Sequence, residues 1–209
     1  MVLLSSVPLL RNTGKEDCTY TSCYCEENVY LLCDRFINCK TDDGPTECWA
    51  LWISNPSKSV AVWHQKGRGD EGLAVWDYHV ILLVVFGSGI SKQYFVYDLD
   101  TTLPFPCKFQ EYLQRAFRPE EDINPRYRAW FRLVNAREYI SSFSSDRSHM
   151  LNPSAPGGYS AQPPTYPCIL KAEIAKNNVM NFADVRDTTV PGRIFNDVAL
   201  LQDYVLSYK

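Results

Sequence analysis

The sequence of 209 residues predicts an α+β fold built as a single domain. Apolar residues recur at helical spacing near both ends of the chain, and they alternate with period two in its central part, which is typical of strands. Helices that stay largely apart from the strands along a chain favour an antiparallel sheet with helices packed against it. Since domains average ~100–200 residues, we expect one domain over 1–209. Within it, 1–15 is expected to be a flexible leader and 152–167 a proline-rich loop.

The composition is typical of a globular protein with no basic surface. Hydrophobic residues make up 45% of the chain and charged residues 22%, and the net charge is −3. The longest apolar run, 80–86, is far shorter than the ~20 residues of a membrane-spanning helix. Residues 1–10 lack the basic start and the cleavage pattern of a signal peptide. We therefore expect no nucleic-acid or membrane partner and a cytoplasmic location, with the nucleus as a second compartment.

The first helix is predicted over 25–37, and it begins at Cys25. Thr21 and Ser22 lie just upstream and are candidates for capping its N-terminus. The stripe that would face the core is formed by apolar residues at helical spacing, namely Val29, Leu32, Cys33, Phe36 and Ile37.

The remaining elements follow from changes in period and from turn residues. The sequence predicts an antiparallel meander behind the first helix, with a turn at 87–91 between two of its strands. The predicted strands are 48–54, 59–64, 73–86, 93–99, 131–134 and 193–195, and the further helices are 109–117, 137–143 and 198–207.

Eight cysteines raise the question of disulfides or a metal site. Disulfide scaffolds are typically chains below ~100 residues, whereas this chain has enough aromatic residues to build a core, so we expect reduced thiols. Cys23 and Cys25 form a C-x-C pair, and structural zinc sites prefer C-x₂₋₄-C pairs. We predict no metal, although a zinc-binding role of the cysteine cluster stays open as an alternative.

One pair of residues in the predicted sheet points to acid–base chemistry. The chain has three histidines, and His79 lies within a strand that is otherwise apolar and aromatic. If the turn between the neighbouring strands is centred between Ser88 and Gly89, His79 lies directly opposite Asp98 on the same face. A carboxylate beside an imidazole fixes the histidine tautomer and stabilises its charged form.

Cys25 is the candidate nucleophile to go with this pair. The helix dipole and a nearby imidazolium would both stabilise its thiolate. Alternatively, Cys25 is a small core residue, His79 a buried histidine with satisfied hydrogen bonds, and Asp98 a turn cap. Together the three residue types predict a Cys25–His79–Asp98 triad, since a triad is recognised by the roles of its members. His149 is expected at the surface or beside the site.

Five motifs occur in order along the chain. They are S-C-Y-C-E-E-N-V at 22–29, W-D-Y-H-V at 76–80, Y-D-L-D-T-x-L-P-F-P-C at 97–107, S-S-D-R-S-H-M at 144–150 and P-P-x-Y-P-C-I at 163–169. The chain closely resembles the protein N-terminal glutamine amidohydrolase family in these motifs.

The resemblance implies a papain-like or transglutaminase-like fold and a Cys-His-Asp triad. The nucleophile is then Cys25, the base His79 and the third member Asp98. The implied reaction is deamidation of N-terminal glutamine to glutamate through a thioester, with release of ammonia, as a step of the N-degron pathway. It implies no cofactor, and its partners are proteins or peptides with a free N-terminal glutamine. We expect the enzyme to be a monomer.

Selection of a chain terminus requires a group that binds a free ammonium, and Asp77 is our candidate. It lies two residues before His79 and hence on the same face of the predicted strand. A structural salt bridge is the alternative role for Asp77. Other readings of the whole protein are a transglutaminase or cysteine peptidase that acts on another amide, and a non-enzymatic zinc- or degron-binding adaptor.

Overall fold

The computed structural model describes residues 10–39, 44–67 and 70–208. Most of the predicted leader therefore lies outside the described residues. In its described part, Leu10–Asn12 form a 3₁₀ turn, and the Arg11 guanidinium lies 4.7 Å from the centre of the Phe86 ring.

The core of the fold is a six-stranded sheet in the order β6-β5-β4-β1-β7-β8, and all of its pairings are antiparallel. Two short strands, β2 and β3, pair with each other in a separate sheet. The strands are β1 (Glu47–Ser54), β2 (Val60–Val62), β3 (Ala74–Trp76), β4 (His79–Phe86), β5 (Gln93–Tyr97), β6 (Cys107–Lys108), β7 (Trp130–Asn135) and β8 (Arg193–Phe195).

Helices cover both faces of the large sheet and give it two cores. They are α1 (Cys25–Ile37), α2 (Phe109–Ala116), α3 (Ala136–Ser142), α4 (Val179–Ala183) and α5 (Val198–Ser207). The first core lies against α1, α3 and α4, and the second against α2 and α5. The central strand β4 is buried along its whole length because its even-numbered residues from Val80 enter the first core and its odd-numbered residues from Ile81 the second.

The α+β class and the bounds predicted for α1, β8 and α5 are confirmed. The predicted meander is wrong in its connections. β1 pairs with β4 and β7 rather than with β2. The predicted strand 73–86 is also wrong, because a bend at Asp77 separates β3 from β4. The Ser54 hydroxyl donates a hydrogen bond to the Asp77 carbonyl at 2.9 Å and holds this bend against the end of β1.

The register of the β4–β5 hairpin differs by two residues from the prediction. Leu82 pairs with Tyr97 and Phe86 with Gln93, so the connection is centred between Gly89 and Ile90. The direct pairing of His79 with Asp98 is therefore wrong. A shift of two residues nevertheless keeps a side chain on the same face of a sheet.

Within 152–167, which the structure describes throughout, the regular structure is one 3₁₀ turn at Pro156–Gly158 and the bridging residue Tyr159, which pairs with Leu151. In the described parts of the chain, every helix is too short or too polar to cross a bilayer.

Candidate active site

Cys25 is the first residue of α1, at the end of the helix that lies against the edge of the first core. The predicted caps are wrong: Tyr24 occupies the N-cap position and makes no side-chain capping bond. The preceding loop is instead held by Asn28, whose side-chain amide both accepts from the Thr21 N–H and donates to the Thr21 carbonyl at 2.9 Å. This contact fixes the chain on both sides of Cys25.

His79 begins β4, and its ring is held from two directions. Its Nε2 atom lies 3.0 Å from Oδ1 of Asp98, and both residues are 1% exposed. The Trp76 ring stacks on the imidazole at 5.4 Å between centroids and 14° between planes. Since Asp98 takes Nε2, the other ring nitrogen, Nδ1, is the one available to a reacting group.

Asp98 follows β5 and accepts hydrogen bonds on both oxygens. Tyr112 from α2 and Gln65 donate to Oδ2 at 2.8 and 3.1 Å, and the backbone N–H of Asp100 donates to Oδ1 at 2.9 Å. Burial alone would raise the pKa of Asp98, but the charge and hydrogen bond of His79, with the other donors, lower it to about 2. Asp98 is therefore ionised at neutral pH.

The pKa of His79 is raised above its usual value. Burial disfavours the charged imidazolium, but the charge and hydrogen bond of Asp98 outweigh that effect, and Asp100 and Glu26 add to it. The His79–Asp98 pair thus stabilises a proton on the ring, as a base that accepts a proton from a nucleophile requires.

Cys25 and His79 line one cleft of about 200 Å³. Asp98 is hydrogen-bonded to the His79 ring and completes the group. The structure therefore brings together the three residues predicted as a triad. The loop before α1 contributes Tyr20, Ser22 and Cys23 to the lining of the cleft.

The pKa of the Cys25 thiol is raised in this cleft, an effect opposite to the one expected from the helix dipole and a nearby imidazolium. Burial raises its pKa well above the usual value, and the carboxylates of Glu26 and Asp100 raise it further. A backbone hydrogen bond from Val80 acts in the opposite direction. A thiol with a raised pKa calls for a base that takes its proton during the reaction.

Asp77 does not line the cleft. It is exposed at the bend between β3 and β4, and its Oδ1 accepts a hydrogen bond from the Tyr78 N–H at 2.9 Å. The alternation argument for Asp77 is wrong because Asp77 and His79 do not belong to one strand. Of the described residues that line the cleft, Asp100 is the one with a carboxylate.

Glu26 contacts the sulfur of Cys25 from within the protein, a feature that the sequence reasoning missed. Its carboxylate is fully buried, and Oε2 accepts from the Cys25 Sγ at 3.6 Å. Oε1 lies 3.3 Å from Nε2 of His149, a contact that is not aligned as a hydrogen bond. Glu26 lies in the motif at 22–29 and His149 in the motif at 144–150. Their place in these motifs is the feature of the sequence that could have indicated a role for them.

The neighbouring acid, Glu27, has a different partner. Both of its oxygens accept from the Arg147 guanidinium, at distances of 2.8 to 3.3 Å, and Ser145 donates to Oε1 at 3.1 Å. This ion pair joins α1 to the loop after α3. The side chain of Arg147 is 7% exposed and that of Glu27 is 0% exposed.

The described residues bring together one set of three metal-ligand atoms, on His79, Asp98 and Asp100, within 4.8 Å of one another. This set belongs to the candidate active site and includes no cysteine. The predicted C-x-C pair therefore does not form part of such a set in the described chain.

Comparisons with known proteins identify the family of this chain. A family model described as N-terminal glutamine amidase matches residues 20–204, a range that includes the whole cleft. The chain belongs to this family. It is 45% identical over 169 residues to the protein N-terminal glutamine amidohydrolase of Homo sapiens, covering 80% of this chain and 78% of the relative.

Two further relatives carry the same name. The Bos taurus protein is 43% identical over 183 residues, which covers 87% of this chain and 84% of the relative. The Drosophila mojavensis protein is 42% identical over 155 residues, covering 74% and 73%.

Proposed function

We propose that this protein hydrolyses the side-chain amide of an N-terminal glutamine in proteins and peptides to glutamate, with release of ammonia. The observation that carries the proposal is a cleft that holds Cys25 beside His79, whose ring is braced by Asp98 at 3.0 Å. Membership of the N-terminal glutamine amidase family supplies the substrate class. We further propose that the protein acts in the N-degron pathway, as the resemblance to this family implies.

In the first step, His79 takes the proton of the Cys25 thiol as the sulfur attacks the side-chain carboxamide carbon. The raised pKa of His79 supports this transfer, because the imidazolium that forms is stabilised by the Asp98 carboxylate. The raised pKa of the Cys25 thiol makes a general base necessary.

The tetrahedral intermediate carries a negative oxygen that needs hydrogen-bond donors. Cys25 begins α1, and the first N–H groups of a helix have no acceptor within that helix. The backbone N–H of Cys25 is therefore our candidate for one donor of the oxyanion hole.

His79 then protonates the departing ammonia and leaves a thioester on Cys25. In the second half of the reaction, the neutral ring activates a water molecule that hydrolyses the thioester, and Asp98 holds the ring throughout. These steps use side chains of this chain and water, and they call for no metal or organic cofactor.

The same proposal extends to the architecture. A nucleophile at a helix start, packed against an antiparallel sheet that carries the histidine and the acid near neighbouring strand ends, supports a papain-like or transglutaminase-like fold. We further propose a single catalytic domain that acts as a cytoplasmic monomer, with the nucleus as a second compartment.

The rival activities differ in what happens to a glutamine peptide. Incubation of the protein with a peptide that begins with glutamine should release ammonia and raise the peptide mass by the difference between an amide and an acid. Peptides that begin with asparagine or acetylated glutamine serve as controls and should react poorly.

Three results would contradict the proposal. Incorporation of an added amine would indicate a transglutaminase, and cleavage of the peptide chain would indicate a protease. Stoichiometric zinc together with an inert Cys25 would favour a zinc- or degron-binding adaptor.

A further inference from the structure

An enzyme for N-terminal glutamine must distinguish it from internal glutamine, which offers the same side-chain amide. The difference between the two is the free α-amino group, which is an ammonium ion at neutral pH. This group is only a few bonds from the amide, so its binding site must lie near Cys25. A carboxylate in the cleft is the natural partner for it.

We propose that the carboxylate of Asp100 binds the α-ammonium group of the substrate and makes Asp100 the residue that selects a chain terminus. This inference rests on the proposed function. Asp100 lines the same cleft as Cys25 and His79. One of its carboxylate oxygens lies within 4.8 Å of ligand atoms of His79 and Asp98.

Three hydrogen bonds fix Asp100 relative to the other site residues. The Tyr20 hydroxyl donates to Oδ1 at 2.5 Å, and the Asp100 N–H donates to Asp98 at 2.9 Å. The backbone N–H of Lys66 donates to the Asp100 carbonyl at 2.7 Å. A carboxylate held in this way needs little reorganisation when a cation arrives.

The two lysines of this region make other contacts. The Lys66 ammonium lies 5.2 Å from the centre of the Tyr20 ring, and the Lys15 ammonium donates to the Thr101 carbonyl. Burial and the charge of Lys66 lower the pKa of Lys15, whereas the charges of Asp98 and Asp100 raise it. Asp100 thus lies among both positive and negative charges. A substrate ammonium would add a positive charge in direct contact with its carboxylate.

Binding at Asp100 also affects the nucleophile. Burial, Glu26 and Asp100 together raise the pKa of the Cys25 thiol. An ammonium ion bound to Asp100 offsets one of these negative charges, so the thiol gives up its proton more readily when the correct substrate is present. Selection should therefore show in kcat as well as in KM.

The test compares two substrates on three proteins. One substrate is a peptide that begins with glutamine, and the other is the same peptide with its α-amino group replaced by hydrogen. The proteins are the wild type, Asp100→Asn and Asp77→Asn, and the readout is the ratio of the two kcat/KM values for ammonia release.

The wild type should prefer the peptide that carries the ammonium. Asp100→Asn should reduce kcat/KM for that peptide on the order of 10²-fold, since a hydrogen bond to a charged group is lost. It should not reduce kcat/KM for the uncharged peptide, because that peptide has no ammonium for Asp100 to bind and the variant lacks the charge that raises the pKa of the Cys25 thiol. The ratio of the two kcat/KM values therefore collapses. Asp77→Asn should keep the wild-type ratio. A further variant outside this set of three, Asp100→Glu, should restore part of the ratio that Asp100→Asn loses.

An equal loss on both peptides in Asp100→Asn would show a structural role and overturn the assignment, as would a collapsed ratio in Asp77→Asn. A wild type that releases no ammonia from the glutamine peptide would instead refute the proposed function itself. The ultraviolet absorbance of the thiolate provides a second readout without substrate. Subtraction of the absorbance of a matched Cys25→Ala variant isolates the Cys25 signal. This signal should titrate at lower pH in Asp100→Asn than in the wild type. An unchanged titration would show that Asp100 does not raise the pKa of the Cys25 thiol.

Discussion

Nε2 of His149 lies 3.3 Å from Oε1 of Glu26, the residue that follows Cys25 in the chain. The Asn177 amide contacts the other ring nitrogen of this histidine. Its oxygen accepts from the Val179 N–H at 3.1 Å, so its NH₂ group faces Nδ1 of His149, also at 3.1 Å. The same NH₂ group also donates to Asp146 and Ser148, at 3.0 and 3.2 Å, so Asn177 holds the His149 ring against this loop. A second acid–imidazole pair thus lies beside the nucleophile, separate from His79 and Asp98.

The first prediction concerns Glu26→Gln. Removal of a buried negative charge that contacts the sulfur should lower the pKa of the Cys25 thiol, because Glu26 raises it in the wild type. At neutral pH the variant should therefore react faster with iodoacetamide at Cys25. Alkylation rates measured across a pH series, with peptide mapping to isolate Cys25, check this.

Glu27→Gln is the matched control, since Glu27 is the next residue of α1, equally buried, and paired with Arg147. It should leave the alkylation profile of Cys25 close to that of the wild type. Identical profiles for Glu26→Gln and the wild type would contradict a role of Glu26 in setting the state of the sulfur.

The second prediction concerns the pH dependence of kcat/KM. His79 must be neutral to accept the thiol proton, so activity should fall as the pH drops through the raised pKa of His79. Asp98→Asn removes the charge that raises this pKa. The acid limb should then move to lower pH while kcat falls by about 10⁴, as loss of the orienting acid does in other triads.

The His79 titration can also be followed directly by NMR, because the chain has only three histidines and His79→Gln identifies the signal. Its midpoint should decrease in Asp98→Asn. A midpoint that stays in place would show that Asp98 does not control the protonation of His79.

The third prediction concerns the nucleophile itself. Cys25→Ala should fold normally, since Cys25 is only partly buried at the start of α1, and it should lose at least ~10³ in kcat. Circular dichroism and the thermal midpoint check the fold, and ammonia release checks the activity. Cys23 lines the same cleft, and Cys23→Ala should keep most of the activity. Equal losses of kcat in Cys23→Ala and Cys25→Ala would contradict the assignment of Cys25 as the nucleophile.

The sequence predicts the elements whose periodicity is strong. α1, β8 and α5 have the predicted bounds because their apolar spacing or their flanking residues mark both ends. The proximity of His79 to Asp98 could also be predicted, although the predicted hairpin register was wrong by two residues. The connection 87–92 contains a 3₁₀ turn at Gly89–Ser91, and this turn moves the centre of the connection by one residue. The resulting register shift is an even number of residues, so the side chain of Asp98 stays on the predicted face of the sheet.

The rest of the site depends on contacts between distant segments, which periodicity does not report. Asp77 was placed on a strand because nothing in its local sequence shows the bend that Ser54 stabilises. The local sequence does not predict a buried Glu26, since glutamates are rarely buried, and its contact with His149 joins segments more than a hundred residues apart. The position of Asp100 likewise depends on distant segments, since its contacts include Tyr20 and Lys66.

The last prediction concerns stability. Glu27 and Arg147 form a buried ion pair, and removing one partner leaves the other charge buried without compensation. Glu27→Ala should therefore reduce the free energy of unfolding by about 3–5 kcal/mol. Urea denaturation at neutral pH measures this loss.

The surface pair of Arg186 and Asp184 provides the comparison, because its arginine side chain is 65% exposed. Asp184 also accepts a hydrogen bond from the backbone N–H of Arg186, so the arginine is the partner to change. Arg186→Ala should cost about 0–1 kcal/mol, since water screens an exposed pair. A loss in Glu27→Ala as small as that in Arg186→Ala would mean that water reaches the Arg147 guanidinium once the glutamate is gone. The loop after α3 would then be less firmly packed on α1 than its hydrogen bonds to Glu27 indicate.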